Sequence, residues 1–197
     1  MPSLSVSIMA HPSRKEWVQE LWNTIGPVPT AWDQIGSEWD TGTRAWALAD
    51  PGSSWHLVLQ DDTLVTPDLV PRATRILEAL DHRGPVSLYL GTGRPQQRRV
   101  LDAIARAKDG IVTLPWLIWG PAIVLPTKDI GPVLDYASRL SYPYDKRLAA
   151  YYKLRRIPCL YPHPSLVDHR DTHSLLGHDM PGMARHAHAW IGNEEAS

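Results

Sequence analysis

Cysteine occurs once in the 197 residues, as Cys159, and phenylalanine not at all. A lone thiol excludes an internal disulfide framework and suits a reducing compartment, so a cytoplasmic location is expected. Nine tryptophans stand beside the missing phenylalanine, a choice for which we have no physical account. No segment approaches the roughly 20 apolar residues that cross a bilayer. The opening MPSLSVSIMAHPSRKEW also lacks the basic start and longer apolar stretch of a signal peptide, so no membrane insertion is expected. Neither sign of charge is in excess. Lys and Arg number 20 and Asp and Glu 21, and the formal charge of -1 gives no global attraction to nucleic acid or acidic membrane. What is present is apolar side chain, 43% of the residues, enough for one substantial core and most simply one domain over residues 1–197.

Apolar and polar residues alternate from Leu4 to Met9, as in a strand, and His11 and Pro12 break the pattern. Ser13 is a candidate N-cap for a helix carrying Trp17, Val18, Leu21, Trp22 and Ile25, which Gly26 and Pro27 end. A short strand is predicted over 28–34 and a short capped helix over 41–50. The segment WHLVLQ is continuous enough in apolar character to be a buried strand. A helix follows from about Pro67 to Leu80, then a strand over 86–90 and a helix over 98–108. Residues 111–126 suggest two strands divided by Gly120 and Pro121. Ile130, Val133, Leu134, Ala137 and Leu140 form a helical stripe, and Asp145 opens the last clear helix. Beyond it the chain is rich in Pro and His with little regular signal, and a loosely held tail is expected from about residue 175. Strands alternating with helices predict an α/β layer with a mostly parallel sheet covered on both faces. In such sheets ligands sit at the carboxyl ends of strands.

Gln60, Asp61 and Asp62 fall at such an end. Two adjacent carboxylates repel, and the cost is lowest with a cation between them. Paired hard oxygen ligands suit Mg or Mn, which favour phosphate-bearing substrates. The same acids also suit a plain turn or helix start.

The succession SVSIMAHPSR, VPTAWDQ, TGTRAWALAD, HLVLQDDTLVTPDLV resembles the donor-binding half of the GT-A glycosyltransferases, which use nucleotide sugars. Compact stand-alone domains of this kind occur in phages and bacteria. The resemblance covers about residues 4–170 and implies a single-domain, Rossmann-like GT-A fold. It places the loop of Ala10, His11, Pro12 and Arg14 over the nucleotide, Asp33 on the base, and Gln60 to Asp62 as a DXD-like motif on the diphosphate. Gln60 stands where the motif has an acid, so the ligand set leans on Asp62, with Asp61 turned toward ribose or an ordered water. Arg44 resembles a basic residue directed at the donor, and also suits a surface arginine. The segment WLIWGPAIVLP resembles the turn beneath sugar and acceptor, which makes Trp119, Gly120 and Pro121 pocket walls. A plain core hairpin is the alternative there. Trp116 and Trp119 could stack on a sugar or base, or belong to the core.

Asp145 stands where the family's late helix turns an acid toward the acceptor. It would be a general base, and it equally suits an N-cap. PHPSLVDHRD resembles the segment supplying a His ligand to the metal. His169 is the candidate, Asp168 the second choice, and imidazole tilts the preference from Mg toward Mn. The implied activity is metal-dependent transfer of a sugar from a nucleoside diphosphate, UDP by family habit, to an acceptor hydroxyl. Two other readings compete. Asp168, His169, Asp171 and His173 are spaced for zinc if that segment is helical, which would make a hydrolase. Arg94, Arg98, Arg99, Arg106 and Lys108, with Lys146, Arg147, Lys153, Arg155 and Arg156, resemble a phosphate-tracking surface. That surface would serve a nucleic-acid-binding protein without catalysis, or a polyanionic acceptor such as DNA carrying a hydroxylated base.

Overall fold

The computed structural model describes residues 3–81, 83–92, 97–170 and 185–194. Three strands carry the first half: β1 (Leu4–Ala10), β2 (Thr30–Trp32) and β3 (Trp55–Gln60). They are joined by α1 (Lys15–Ile25) and α2 (Glu38–Trp46). Gly26, at φ +88, ends α1, a conformation that side chains with a Cβ rarely take. The helix predicted over 41–50 starts earlier, because the Ser37 side chain caps it by accepting from the Asp40 N–H. A short strand, β4 (Thr63–Val65), leads to α3 (Leu69–Ala79).

The second half adds β5 (Val86–Ser87), α4 (Gln97–Ile104), β6 (Ile111–Leu114) and β7 (Ala122–Pro126). After these come α5 (Ile130–Ser138), α6 (Tyr144–Leu154), β8 (Cys159–Pro162), β9 (Val167–His169) and α7 (Ile191–Glu194). Among the described residues the main sheet has the order β2-β1-β3-β7-β5-β8-β6. β7 and β6 run against the other strands. The expected α/β layer with a mostly parallel sheet is present.

The sheet separates two apolar clusters, and strand alternation assigns residues to them. On one face Leu57, Leu59, Ala122 and Val124 meet Val18 and Leu21 of α1 and Leu69, Ala73 and Leu77 of α3. On the other, Val58, Ile123 and Leu125 join Trp46 of α2, Val100 of α4, Val133 of α5 and Leu148 of α6. Trp46 is fully buried and its Nε1 donates to the Tyr144 hydroxyl at 2.8 Å. No space remains between Gly42 and the Tyr144 ring for a Cβ, so glycine lets α2 and α6 approach.

Residues 111–126 are not a hairpin. β7 lies between β3 and β5 while β6 pairs with β8 at the sheet edge. All five residues of β7 are buried, and such a strand needs a neighbour on each side. The strand predicted over 86–90 is confined to Val86–Ser87. Beyond it, the Leu88 carbonyl accepts from Leu166 N at 3.0 Å. Of the expected loose tail, residues 185–194 bond to the body, for instance His188 N to Leu90 O at 2.8 Å, and the rest lies outside the described residues. No described helix is long and apolar enough to cross a membrane.

His56 faces the second cluster, fully buried, with Nδ1 2.8 Å from Ser5 Oγ and Nε2 3.0 Å from Ser7 Oγ. Burial pushes its pKa down to about 4, against the weaker opposing pull of hydrogen bonds to Ala45 and Ser5. The unfolded ring titrates near 6.5, so this contribution to stability is complete above that pH and is lost as the pH falls toward 4. The expected loss is about 3 kcal/mol, at about 1.4 kcal/mol per pH unit. Urea unfolding across this window should show a shallower fall in His56→Gln. Identical falls in the two proteins would contradict the assignment.

Candidate functional site

The parallel register of β1 with β3 pairs Met9 with Gln60, and that of β1 with β2 pairs Ala10 with Trp32. His11, Asp33 and Asp61 therefore leave the sheet at the same carboxyl edge. β7 runs the other way and pairs Ala122 with Leu59, which brings Gly120 and Pro121 to that edge from the amino end of their strand. Backbone bonds fix the convergence: Gln60 N donates to Pro121 O at 2.8 Å and Asp61 N to Met9 O at 3.2 Å. After β1 the His11 side chain caps a single 3-10 turn, Pro12–Arg14, by accepting from Ser13 N. The helix α1 that follows has Arg14 at its cap position with no side-chain cap, so Ser13 does not fill the role expected of it.

That turn aims Arg14 at the acid pair. Its Nη1 donates to Asp61 Oδ1 at 2.7 Å and to Asp62 Oδ2 at 2.8 Å, and all three side chains are nearly buried. His11 N donates to Asp61 Oδ2 at 2.7 Å, so both oxygens of Asp61 are engaged. The cation that two adjacent carboxylates require is thus first a guanidinium supplied by the chain. Burial, then the Asp62 charge, raise the Asp61 pKa above the usual range, although His11 N–H and Arg14 pull the other way. Burial also opposes ionisation of Asp62, but His169 and Arg14 outweigh it and the pKa is lowered. Burial likewise disfavours the charged Arg14, and its two carboxylates more than compensate, raising its pKa.

β9 brings in the histidine. It forms a two-stranded antiparallel ladder with β4, pairing Thr63 with His169, and Arg170 N donates to Asp62 O at 2.9 Å. His169 Nε2 stands 3.4 Å from Asp62 Oδ2, and its Nδ1 lies 2.6 Å from the Arg170 carbonyl. That carbonyl can only accept, so Nδ1 carries a proton and Nε2 is the ring nitrogen turned toward Asp62. Asp62 Oδ1 is buried with no hydrogen-bond partner. One orphan carboxylate oxygen and one imidazole nitrogen fit a Mn or Mg ion that takes its other ligands from phosphate oxygens and water. Among the described residues no three His, Cys, Asp or Glu gather to hold a metal by themselves.

On the opposite lip a Cβ on Gly120 would lie 3.1 Å from Gln60 Nε2 and 3.6 Å from Asp145 Cβ, so the glycine keeps the floor low between them. Asp145 lies in the first turn of α6, where Oδ1 accepts from Lys146 N at 2.7 Å. Trp119 packs edge-on against Tyr89 and Tyr161, and Tyr89 in turn lies 6.3 Å from the His169 ring. Sequence reasoning missed Glu38 at the start of α2. Its pKa is raised by burial first and then by the charges of Asp145 and Asp62, which places a fourth acid beside the site. It also missed Arg170, which pairs with Glu20, lies 5.4 Å from the Trp17 ring and has a buried, unpartnered Nε. Arg14 also lies over Trp17, at 4.8 Å. The one local signal for Glu38 was the Ser37–Asp40 capping pattern, and nothing local pointed to Arg170.

Other expected residues have structural partners. Asp33 Oδ1 accepts from the backbone of Ile35, Gly36 and Ser37 and from Thr41 Oγ1, while Oδ2 lies 4.0 Å from His11 Nε2. Arg44 donates to Asp40 at 2.9 Å and to Trp32 O at 2.8 Å, tying α2 to the end of β2. Asp168 is held by Ala187 N at 2.6 Å and His186 Nδ1 at 3.1 Å, away from the metal role considered for it. The helical spacing behind the zinc reading fails at His169, which belongs to a strand, and Asp171 and His173 lie outside the described residues. Trp116 lies under Arg99 and Lys153.

No protein-family model and no curated protein sequence matches the chain. Many solved structures are similar to it in fold, and two of them serve as examples. One is a glycosyltransferase involved in the glycosylation of the major capsid of PBCV-1, at 13% identity and a TM-score of 0.48, covering 86% of this chain and 94% of that one. The other is 4-diphosphocytidyl-2C-methyl-D-erythritol synthase from Anaerococcus prevotii, at 9% identity and a TM-score of 0.47, covering 84% and 91%.

Proposed function

We propose that the chain transfers a glycosyl group from a nucleoside diphosphate sugar, with UDP the first carrier to test, to an acceptor hydroxyl. The observation that carries this reading is the orphan Asp62 Oδ1 beside His169 Nε2, at the edge where three parallel strands end. Asp62 and His169 would hold Mn or Mg, which supplies charge neutralisation on the diphosphate as it leaves. Arg14 keeps Asp62 ionised and in place, and the loop from Ala10 to Arg14 covers the nucleotide with Asp61 and Asp33 at its nucleoside end. Gly120 and Trp119 border the sugar. Asp145, across Gly120, takes the acceptor O–H proton if the reaction inverts. The acceptor oxygen then bonds to the anomeric carbon as the bond to the β-phosphate oxygen breaks, and that electron pair leaves with the nucleotide.

Donor binding is testable without knowing the acceptor. A ligand that binds only the folded state at 100 times its Kd stabilises it by about 2.7 kcal/mol. UDP with Mn should raise the melting temperature, UDP without Mn should do so weakly, and Asp62→Ala should abolish the difference. An Asp62→Ala protein that responds like wild type would overturn the site.

A further inference from the structure

The formal charge of -1 conceals a strong separation. Residues 146–156 carry five basic side chains and no acid, and residues 98–108 carry four against Asp102, so these two segments hold +8. Among the described residues, Arg98, Arg99, Arg106, Lys146, Lys153 and Arg156 form no ion pair. The two segments meet in space, because Arg99 of α4 and Lys153 of α6 lie over the same Trp116 ring at 4.8 and 5.4 Å. On other sides of α6, Arg147 lies over Trp39 at 4.7 Å and Arg155 over Tyr151 at 3.6 Å, so the shared face is that of Arg99 and Lys153. A cation held against an aromatic ring has less freedom to lose on binding. The charges are therefore pre-ordered rather than simply solvated. The stripe also leads to the chemistry, since α6 runs about 14 Å from Asp145 to Leu154 at about 1.5 Å per residue.

We propose that this face binds the phosphate backbone of a nucleic acid and presents an acceptor hydroxyl on that polymer to Asp145. The assignment of the acceptor rests on the transferase reading, whereas the binding face stands on its own. Phosphate contacts of this kind are sequence-independent and release counterions, so affinity falls steeply with salt.

The test is fluorescence anisotropy with labelled single-stranded and duplex DNA of mixed sequence, from 50 to 200 mM salt, using the full chain. Binding of either form is expected at low salt. The combined variant Arg98→Ala, Arg99→Ala, Lys153→Ala should weaken it about 100-fold and flatten the log–log salt slope by about 3 on duplex and about 2 on single strands for three lost phosphate contacts. The charge-preserving variant Arg98→Lys, Arg99→Lys, Lys153→Arg should bind like wild type, and the response to UDP with Mn should be unchanged in both. No DNA binding at 50 mM salt, equal binding of polyglutamate, or wild-type binding by the alanine variant would each overturn the face. A normal donor response with no DNA binding removes this inference alone. DNA binding without any donor response keeps the face and removes the transferase reading.

Discussion

Arg14→Leu is expected to lower the unfolding free energy by about 3–5 kcal/mol at pH 7, the range for removing one partner of a buried ion pair. The guanidinium is the group that bridges Asp61 Oδ1 and Asp62 Oδ2, and both acids are nearly buried. Without it two adjacent carboxylates remain with His11 N–H and His169 as their main compensation. The Asp61 pKa, already raised, must rise further, so the penalty is complete at neutral pH and shrinks as acid protonates that carboxylate. Millimolar Mn should restore part of the loss, because the emptied place between two carboxylates suits a hard cation. Urea unfolding at pH 7 and pH 5, with and without Mn, reads all three effects. A variant within about 1 kcal/mol of wild type at pH 7 would show that Arg14 is a surface contact of ordinary worth.

Asp145→Asn is expected to reduce transfer by about 100- to 10,000-fold, the usual contribution of a positioned general base, while donor binding survives. The amide keeps the shape of the side chain and can still accept from Lys146 N, as Oδ1 does now at 2.7 Å. It cannot take a proton from the acceptor. The charge it removes is one of those that raise the Glu38 pKa, so Glu38 should ionise more readily in the variant. Steady-state transfer paired with the UDP and Mn thermal shift separates the two roles. Parallel loss of both would mean a damaged fold. Full transfer would remove Asp145 from the chemistry, or indicate a retaining reaction in which it is no base.

The layered core was legible because β1 alternates, WHLVL is continuously apolar, and α1 and α3 repeat apolar residues at helical spacing. These patterns report burial within one element. The register that pairs Met9 with Gln60, and so sets His11 beside Asp61, follows from burying them together. Three features were not legible. Residues 111–126 contain a Gly-Pro break between apolar halves and resemble a hairpin, yet each half pairs with a distant strand. β4 and β9 span three residues each, too short for any periodicity, and their pairing alone brings His169 to Asp62. Finally, the repulsion between Asp61 and Asp62 calls for a cation, but charge alone does not say whether a side chain or an ion supplies it. Arg14 is distant in sequence, and only the turn at Pro12 aims it there.

Bound Mn(II) examined by pulsed electron paramagnetic resonance in the presence of UDP probes the contact on which the proposed reaction depends. The expected spectrum contains both a histidine nitrogen coupling and a phosphorus coupling, and His169→Ala loses the nitrogen while Asp62→Ala loses bound Mn. A phosphorus coupling with no nitrogen in the wild type, or spectra unaltered by both substitutions, would mean that the ion does not sit between His169, Asp62 and the diphosphate.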